Sequence, residues 1–318
     1  MNLTKAIDGY MIGALADGFS PLTLEAYKYA LLTLVKHIGD KEIDTITTED
    51  LKGFMSFLRS DYIPRRGNGR TEPLSTASFH RYWKAIRSFY KWAEAELGCG
   101  RPDAPLKMPH FTNREIVPLS EEEIKKLIKA CDATLIRPSD REPYEIHRHC
   151  AIRDKAMVLV LLDTGLRAGE LGRLTIRDVN LENGEVYVLP HHVRKTRPRT
   201  VYLGKIARKA LWRYLSDRGE VLPNDPLFAT TDGRSVDPAT ILKIVRRIGE
   251  RAGVSAVHPH KFRHTFAVQY LRNGGDVFTL QRLLGHSTLE MVRRYLALAD
   301  ADDAEAHRKA SPVDRWKL

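Results

Sequence analysis

The stretch "HPHKFRHTFAVQYL", His258 to Leu271, combines a dense polar cluster with the start of an apolar helix. The polar members of the cluster are His258, His260, Arg263 and His264. Three interpretations are open: a zinc site, a helix-capping cluster and an anion-binding site. A zinc site needs a third ligand, and Lys261 stands where a metalloprotease helix carries its glutamate. We expect no metal here. Three imidazoles and a guanidinium are hard to satisfy beside a core helix, which favours an anion.

A second stretch, "LGHSTLEMVRRYLAL" from Leu284 to Leu298, places His286 and Tyr295 nine residues apart. A tyrosine in a helical run with Leu289 and Val292 is by default a core residue whose hydroxyl finds a partner. The alternative, a phenol that reacts, depends on which residues elsewhere in the chain accompany it.

Two further segments carry residues of interest. In "TGLRAGEL", Arg167 lies in a glycine-flanked turn after the apolar run 157–162, and Glu170 follows about one helical turn later. Taken alone, this pattern indicates a salt-bridged arginine. The segments "GEVYVLP" at 184–190 and "RTVYLG" at 199–204 predict two antiparallel strands. Lys195 is the only lysine in the basic turn that joins them.

The 318 residues divide into two predicted domains. Helical periodicity from Ser20 onward indicates a small helical domain at 1–98, with helices that stop at Gly39 and Gly98 and one capped by Thr47 or Thr48. Four prolines mark 99–118 as a linker. The second domain, 119–318, is mainly helical with a small antiparallel sheet, and begins at a Ser120 capping box. Its end, about 304–318, is a charged tail with few apolar anchors.

Composition narrows the class of partner. Lys and Arg number 51 against 40 Asp and Glu, a formal net charge of +11, so a polyanion such as nucleic acid is the first partner to consider and an anionic membrane surface is the competitor. No apolar run approaches the roughly 18 residues that span a bilayer. The three cysteines show no metal-binding or disulfide spacing. We therefore expect a cytoplasmic protein without a membrane segment.

Basic residues of the first domain are candidates for DNA contact. The loop between the last two predicted helices of that domain carries Arg65, Arg66 and Arg70 beside glycines. The third helix has a basic stripe of Lys84, Arg87 and Lys91 with no acid between Phe79 and Ala93. Since solvated faces usually mix signs, the stripe favours contact with phosphates, although a solvated face and a solvated loop remain the alternatives.

Taken in order, "TGLRAGEL", a hairpin lysine, "HKFRHTFA", "LLGHS" and a tyrosine nine residues later resemble the tyrosine recombinase, or lambda-integrase, family. The resemblance covers essentially the whole chain. It implies a helical core-binding domain and a mixed α/β catalytic domain that form a clamp on DNA. The catalytic residues that it implies are Arg167, Lys195, His260, Arg263, His286 and the nucleophile Tyr295. His260 is expected either to take the proton from Tyr295 or to hold the phosphate. Glu170 matches an acidic position that orients its neighbours.

The same resemblance implies a reaction, partners and competitors. We expect site-specific cleavage and rejoining of DNA strands through a 3′-phosphotyrosine, without metal, ATP or another cofactor. The expected partner is double-stranded DNA with paired inverted half-sites, bound by a homotetramer whose tails dock on neighbouring subunits. The competing hypotheses are a relaxing topoisomerase of the same chemistry and a DNA-binding regulator that has lost catalysis. Integration, transposition and resolution are not distinguished by the sequence, nor is the DNA site.

Overall fold

The structure is a computed structural model that describes residues 1–64, 72–109, 115–136, 144–147, 150–190, 198–299 and 311. The chain separates into two compact units, Met1–Arg114 and Glu115–Leu318. Each unit encloses its own apolar core. The described residues are mainly helical with small antiparallel sheets, which confirms the predicted fold class. The predicted boundaries at 98 and 118 remain predictions.

The N-terminal unit is a bundle of helices whose apolar faces pack together. The helices are α1 Leu3–Ala16, α2 Pro21–Ile38, α3 Thr48–Ser60 and α4 Thr76–Leu97. Thr47 caps α3 through a capping box with Asp50, and α2 and α4 end at Gly39 and Gly98 as predicted. Helix α1 was not anticipated. Its buried residues Leu3, Ile7 and Tyr10 recur at helical spacing, a signal present in the sequence.

The chain after α4 packs on the N-terminal unit. Cys99 and Leu106 are buried in that unit's core. Asp103 is fully buried and receives two hydrogen bonds from Arg101, at 2.7 and 2.9 Å. These contacts bind the first part of the predicted linker to the helical bundle, and the linker at 99–118 stays a prediction.

The C-terminal unit is built from eight helices in its described part. They are α5 Glu121–Asp132, α6 Ala151–Thr164, α7 Ala168–Leu171, α8 Lys205–Arg218, α9 Pro238–Ala252, α10 Pro259–Arg272, α11 Val277–Leu284 and α12 Glu290–Ala299. The capping box before α5 forms as predicted, because Ser120 and Glu123 exchange hydrogen bonds between side chain and backbone. No helix in the described ranges is long and apolar enough to cross a membrane.

Two hairpins accompany these helices. The predicted strands form β3 Glu185–Val188 and β4 Arg199–Tyr202, antiparallel with Val186 opposite Val201. A second pair, β1 Ala133–Ile136 and β2 Tyr144–His147, was not predicted. In β3 the buried valines alternate with exposed residues, and in β4 Val201 is buried while Tyr202 is exposed, so each strand places one face on the core.

Helix α10 lies between α6 on one side and α11 and α12 on the other. Phe262 of α10 joins the larger core with α6, whereas Ala267 and Val268 join a smaller core with Val292 and Tyr295 of α12. Because α10 contributes to both cores, the polar residues at its N-terminal end lie between the turn after α6 and helix α12.

Candidate functional site

The turn between α6 and α7 positions Arg167. Helix α6 ends at Gly165, whose φ of +62° is a left-handed conformation that favours glycine, and an added Cβ there would collide with the ring of Phe266. Arg167 follows in an extended conformation at the N-terminus of α7. Its side chain is 33% exposed, so this guanidinium is anchored by the turn and still reachable by a ligand.

Glu170 is the carboxylate at the centre of the site. It accepts hydrogen bonds from the backbone N–H of Arg167 at 2.9 Å and from its guanidinium at 3.0 Å. Arg199 donates two more, at 3.0 and 2.9 Å. Burial alone opposes ionisation of Glu170, but the hydrogen bond and charge of Arg199, then those of Arg167, lower its pKa to about 2. These contacts support the predicted orienting role.

Arg199 is a residue of this site that the sequence analysis missed. Its side chain is 8% exposed, and besides binding Glu170 it donates from Nε to the Leu283 carbonyl at 2.7 Å. Gly285, with φ +64°, leaves room for the guanidinium, since an added Cβ would lie 3.1 Å from an Nη atom. Alternation in β4 was a usable signal, because Arg199 shares a strand face with buried Val201.

Arg263 is the most enclosed cation of the site, at 3% exposure. It donates to the carbonyls of Gly165 at 2.8 Å and Leu284 at 2.7 Å, and lies 2.8 Å from Nε2 of His286. Burial, followed by the nearby charge of Arg167, lowers its pKa to about 9, so it remains a cation at neutral pH. All three of these partners are neutral acceptors, so none of these bonds neutralises its charge.

His286 has a tautomer set by Arg263. A guanidinium can only donate, so Nε2 of His286 is the acceptor and Nδ1 carries the proton. That Nδ1 is buried and has no hydrogen-bond partner among the described residues. Burial, with the charges of Arg263 and Arg167, lowers the pKa of His286 to about 3, so the ring is neutral. The site therefore presents a buried donor without an acceptor.

Tyr295 of α12 is 4% exposed, as the core interpretation predicts, yet its hydroxyl reaches the same site. It lies 2.9 Å from Nδ1 of His264. Its ring is nearly parallel to that of His286, with centres 6.4 Å apart. Burial raises the pKa of Tyr295, and the charges of Arg263, Arg294 and Arg167 partly offset this effect. The phenol is therefore protonated at neutral pH.

His260 and His264 differ in their surroundings although both belong to the cluster seen in the sequence. His260 is exposed, and burial of its ring atoms with the charge of Arg263 lowers its pKa. Its ring centre lies 6.4 Å from that of His264. A role was predicted for His260 and none for His264. One helical turn separates the two residues, and only the packing of α12 on α10 selects the one that meets the phenol.

Other predicted residues lie apart from this site or outside the described ranges. Lys195, Arg65, Arg66 and Arg70 fall outside them. On α4, Lys84 and Lys91 are exposed. Arg87 instead donates to the carbonyls of Asp103 at 3.0 Å and Ala104 at 3.2 Å, so it stabilises its own unit. No group of three or more His, Cys, Asp or Glu suited to a metal occurs in the part of the chain that was searched.

The site has an excess of positive charge. Three guanidinium groups, those of Arg167, Arg199 and Arg263, lie around the carboxylate of Glu170, the one carboxylate that the described residues place in this site. A neutral His286 adds a donor, and a phenol stands beside it. Two uncompensated charges and an unused donor fit a bound oxyanion with a nucleophile next to it.

Comparison with known proteins agrees with this geometry. Residues 118–302 match the phage integrase family, and residues 14–97 match the phage integrase N-terminal SAM-like domain. Tyrosine recombinase XerC of Pelobacter propionicus is 30% identical over 93% of this chain and 91% of its own. Tyrosine recombinase XerA of Saccharolobus solfataricus is 28% identical over 91% and 86%. The fold is that of a DNA strand-exchange enzyme class, and the chain belongs to the phage integrase family.

Solved structures share the fold. The Tn1549 transposon integrase in complex with a circular intermediate DNA has a TM-score of 0.72 at 17% identity, over 96% of this chain and 99% of that one. A lambda integrase dimer bound to a COC′ core site has a TM-score of 0.69 at 17% identity, over 93% and 77%. At these identities the likeness concerns the fold.

Proposed function

We propose that the protein is a site-specific tyrosine recombinase that cleaves and rejoins double-stranded DNA through a 3′-phosphotyrosine at Tyr295. The observation that carries the proposal is the buried excess of positive charge beside a phenol. Family membership and relatives named tyrosine recombinases support the same activity. Tyr295 then has both roles that the sequence left open, since it packs in a core and presents its hydroxyl to the anion site.

The two catalytic arginines stabilise the transition state in this mechanism. Attack on a phosphodiester builds a doubly charged pentacoordinate phosphorus, and Arg167 and Arg263 supply positive charge and hydrogen bonds to its nonbridging oxygens. The proton on Nδ1 of His286 completes the set of donors, and His260 holds the phosphate at the exposed side. Glu170 and Arg199 hold Arg167 in place.

The leaving 5′ oxygen needs a proton, and we assign its delivery to Lys195 in the β3–β4 connection. Cleavage leaves the phosphate esterified to Tyr295. Because this ester keeps the energy of the broken linkage, a 5′ hydroxyl of another strand can displace the tyrosine without a nucleotide. The reaction as written uses no metal ion and no other cofactor.

Binding to DNA completes the proposal. We assign backbone contacts to the exposed Lys84 and Lys91 of α4, together with Arg65, Arg66 and Arg70. Arg87 has a structural role beside them. The DNA substrate carries paired inverted half-sites, each pair of sites is bound by four protomers in the cytoplasm, and the tail at about 304–318 docks on a neighbouring protomer.

The test is trapping of the covalent intermediate. The parent protein, incubated with nicked DNA from the regions flanking its gene, should yield a protein–DNA adduct in denaturing gels, with or without a chelator. Tyr295→Phe should yield none while binding DNA as the parent does, because one hydroxyl is lost from a site held by positive charge.

Each other outcome points to another activity. Binding without any adduct from the parent would indicate a regulator that has lost catalysis. Relaxation of supercoiled DNA that lacks paired sites would indicate a topoisomerase. An adduct that persists in Tyr295→Phe would show another nucleophile. A strict requirement for a divalent metal would contradict stabilisation of the transition state by Arg167 and Arg263.

A further inference from the structure

The hydroxyl of Tyr295 is hydrogen-bonded to a histidine that none of the preceding assignments uses. Nδ1 of His264 lies 2.9 Å from the phenolic oxygen, and the two rings have centres 5.7 Å apart. His264 directly follows Arg263 on α10 and is half-buried. The residue is therefore in direct contact with the reacting atom.

The direction of this hydrogen bond follows from the ionisation states. Burial, then the neighbouring His260, His258, Arg263 and Arg294, lowers the pKa of His264 to about 4, so the imidazole is neutral and one of its nitrogens accepts. A phenol is a better donor than a neutral imidazole N–H. The arrangement is thus a protonated Tyr295 that donates to Nδ1 of His264, with the imidazole proton on Nε2.

We propose that His264, and not His260, accepts the phenolic proton when Tyr295 attacks DNA, an inference that rests on the proposed recombinase function. In the step, the bond between the Tyr295 oxygen and phosphorus forms and the bond from phosphorus to the 5′ oxygen breaks. The phenolic proton passes to Nδ1 of His264, and the 5′ oxygen takes a proton from its own donor. Rejoining reverses both transfers.

The surrounding charges make this transfer depend on bound DNA. In the free protein burial and the nearby cationic groups disfavour a protonated His264, so Tyr295 keeps its proton. A phosphate bound to Arg263 and Arg167 places negative charge near the ring and offsets those cations. Proton transfer to His264 thereby becomes favourable once the scissile phosphate is in place.

The geometry assigns a different position to His260. It is exposed and lies one turn earlier on α10, with its ring centre 6.4 Å from that of His264. The hydrogen bond to the buried phenol comes from Nδ1 of His264. His260 is therefore the matched control for His264: the same residue type, on the same helix, with a role at the phosphate.

The experiment measures single-turnover cleavage of nicked DNA against pH for the parent, His264→Ala, His264→Asn and His260→Ala. Both His264 variants should cleave about 10²- to 10⁴-fold more slowly at neutral pH, because general base catalysis is lost. Their rates should rise tenfold per pH unit toward the pKa of Tyr295, since only ionised phenol then attacks. His260→Ala should lose activity by a factor that does not change with pH.

A substrate with sulfur in place of the 5′ bridging oxygen isolates the base. A thiolate leaves without a proton, so the loss in Lys195→Ala should disappear on this DNA while the loss in His264→Ala persists. For the parent on the same DNA, the rate should fall tenfold per pH unit below the pKa of His264 in the complex. This last measurement needs no variant and therefore does not depend on how well a variant folds.

Four results would overturn the assignment. In the first two, His264→Ala keeps the activity of the parent, or His264→Asn recovers it. In the other two, the tenfold rise in rate per pH unit appears in His260→Ala instead, or the rate of the parent on the sulfur substrate does not change with pH. Recovery in His264→Asn would show that the residue only holds the hydroxyl. Failure of the proposed function is distinct, because the parent protein would then form no adduct on either DNA.

Discussion

At the residue scale, Arg263 and Arg167 carry the same charge but differ in burial. We therefore expect both to contribute to catalysis and only one of them to contribute strongly to stability. Arg263 is 3% exposed and bonds two backbone carbonyls and His286, whereas the Arg167 side chain is 33% exposed and shares Glu170 with Arg199. Removal of Arg263 therefore leaves buried acceptors unpaired, whereas removal of Arg167 leaves Glu170 with another partner.

We predict that Arg263→Ala and Arg167→Ala each slow cleavage by about 10²- to 10³-fold or more, through lost transition-state stabilisation. Arg263→Ala should in addition lower the free energy of unfolding by about 2–4 kcal/mol, because buried polar groups lose their partners. Arg167→Ala should lower it by about 1 kcal/mol or less. Urea unfolding and single-turnover cleavage measure the two effects, and equal stability losses would contradict this division.

Glu170 makes part of the stability depend on pH. Its pKa is lowered from 4.5 to about 2 in the folded protein, so its contribution is complete above pH 4.5 and is lost as the pH falls through about 2. A difference of this size corresponds to roughly 3 kcal/mol. We predict that Glu170→Gln removes this contribution. Between pH 5 and pH 2 the unfolding free energy of the variant should therefore decline less than that of the parent, by about this amount.

Glu185→Gln is the control for that comparison, since Glu185 is exposed at the start of β3. Its unfolding free energy should follow the pH dependence of the parent. The same dependence in Glu170→Gln as in the parent would show that the arginine pairs of Glu170 do not contribute to acid stability.

At the scale of elements, the end of α6 is the junction that brings Arg167 to α10. Gly165 and Gly253 both end helices with φ values of +62° and +65°. An added Cβ would meet Phe266 and Leu284 at Gly165, whereas nothing lies within 4 Å of one at Gly253. The two positions share the same backbone strain and differ in packing.

We predict that Gly253→Ala costs about 1–2 kcal/mol of unfolding free energy, the penalty for a left-handed alanine. Gly165→Ala should cost about 1–3 kcal/mol more, because Phe266 must move and overpack the smaller core. It should also slow cleavage, since the turn carries Arg167. Thermal and urea unfolding of both variants give the comparison. Equal losses of unfolding free energy would mean that the residues around Gly165 accommodate the added methyl group without destabilising the fold.

The basic face of α4 gives a second test at this scale. Lys84→Ala with Lys91→Ala should weaken DNA binding similarly for all sequences and reduce the slope of log affinity against log salt by about one to two. Lys5→Ala with Lys36→Ala, exposed on α1 and α2, removes the same charge and should change the slope less. Equal slopes for the two pairs would assign the α4 face to solvent.

Arg87 is expected to behave differently from its helical neighbours. Because its guanidinium binds the Asp103 and Ala104 carbonyls, Arg87→Ala should lower the stability of the N-terminal unit more than it changes the salt dependence. The distinction follows from geometry, since all three residues share a basic stripe in the sequence.

At the scale of the whole molecule, the proposed function requires several copies on one DNA. We predict that deletion of 311–318 leaves binding to a single half-site intact but reduces cooperative occupancy of paired half-sites and recombination, because the docking segment is lost. Gel-shift titrations on single and paired half-sites measure both. Unchanged cooperativity would place the tail on its own subunit.

Much of the architecture was predictable because it depends on local patterns. Glycines placed the ends of α2 and α4, capping residues placed the starts of α3 and α5, and alternating valines placed β3 and β4. Helix α1 and the pair β1 and β2 were missed, the first although its apolar spacing was readable. Strand pairs and helix ends are decided within a few residues, so a single sequence contains their signals.

The candidate site likewise has features that the sequence predicts and features that it does not. By itself the sequence determined the identity and order of the candidate reactive residues, because arginine, histidine and tyrosine chemistry is a property of side chains and their motifs. Only the tertiary structure decided which of them meet. Packing of α12 on α10 brought Tyr295 to His264 rather than His260, and burial of Arg199 and Arg263 beside one carboxylate created the excess charge. Contacts between elements distant in the chain set these distances and pKa values, and no local pattern encodes them.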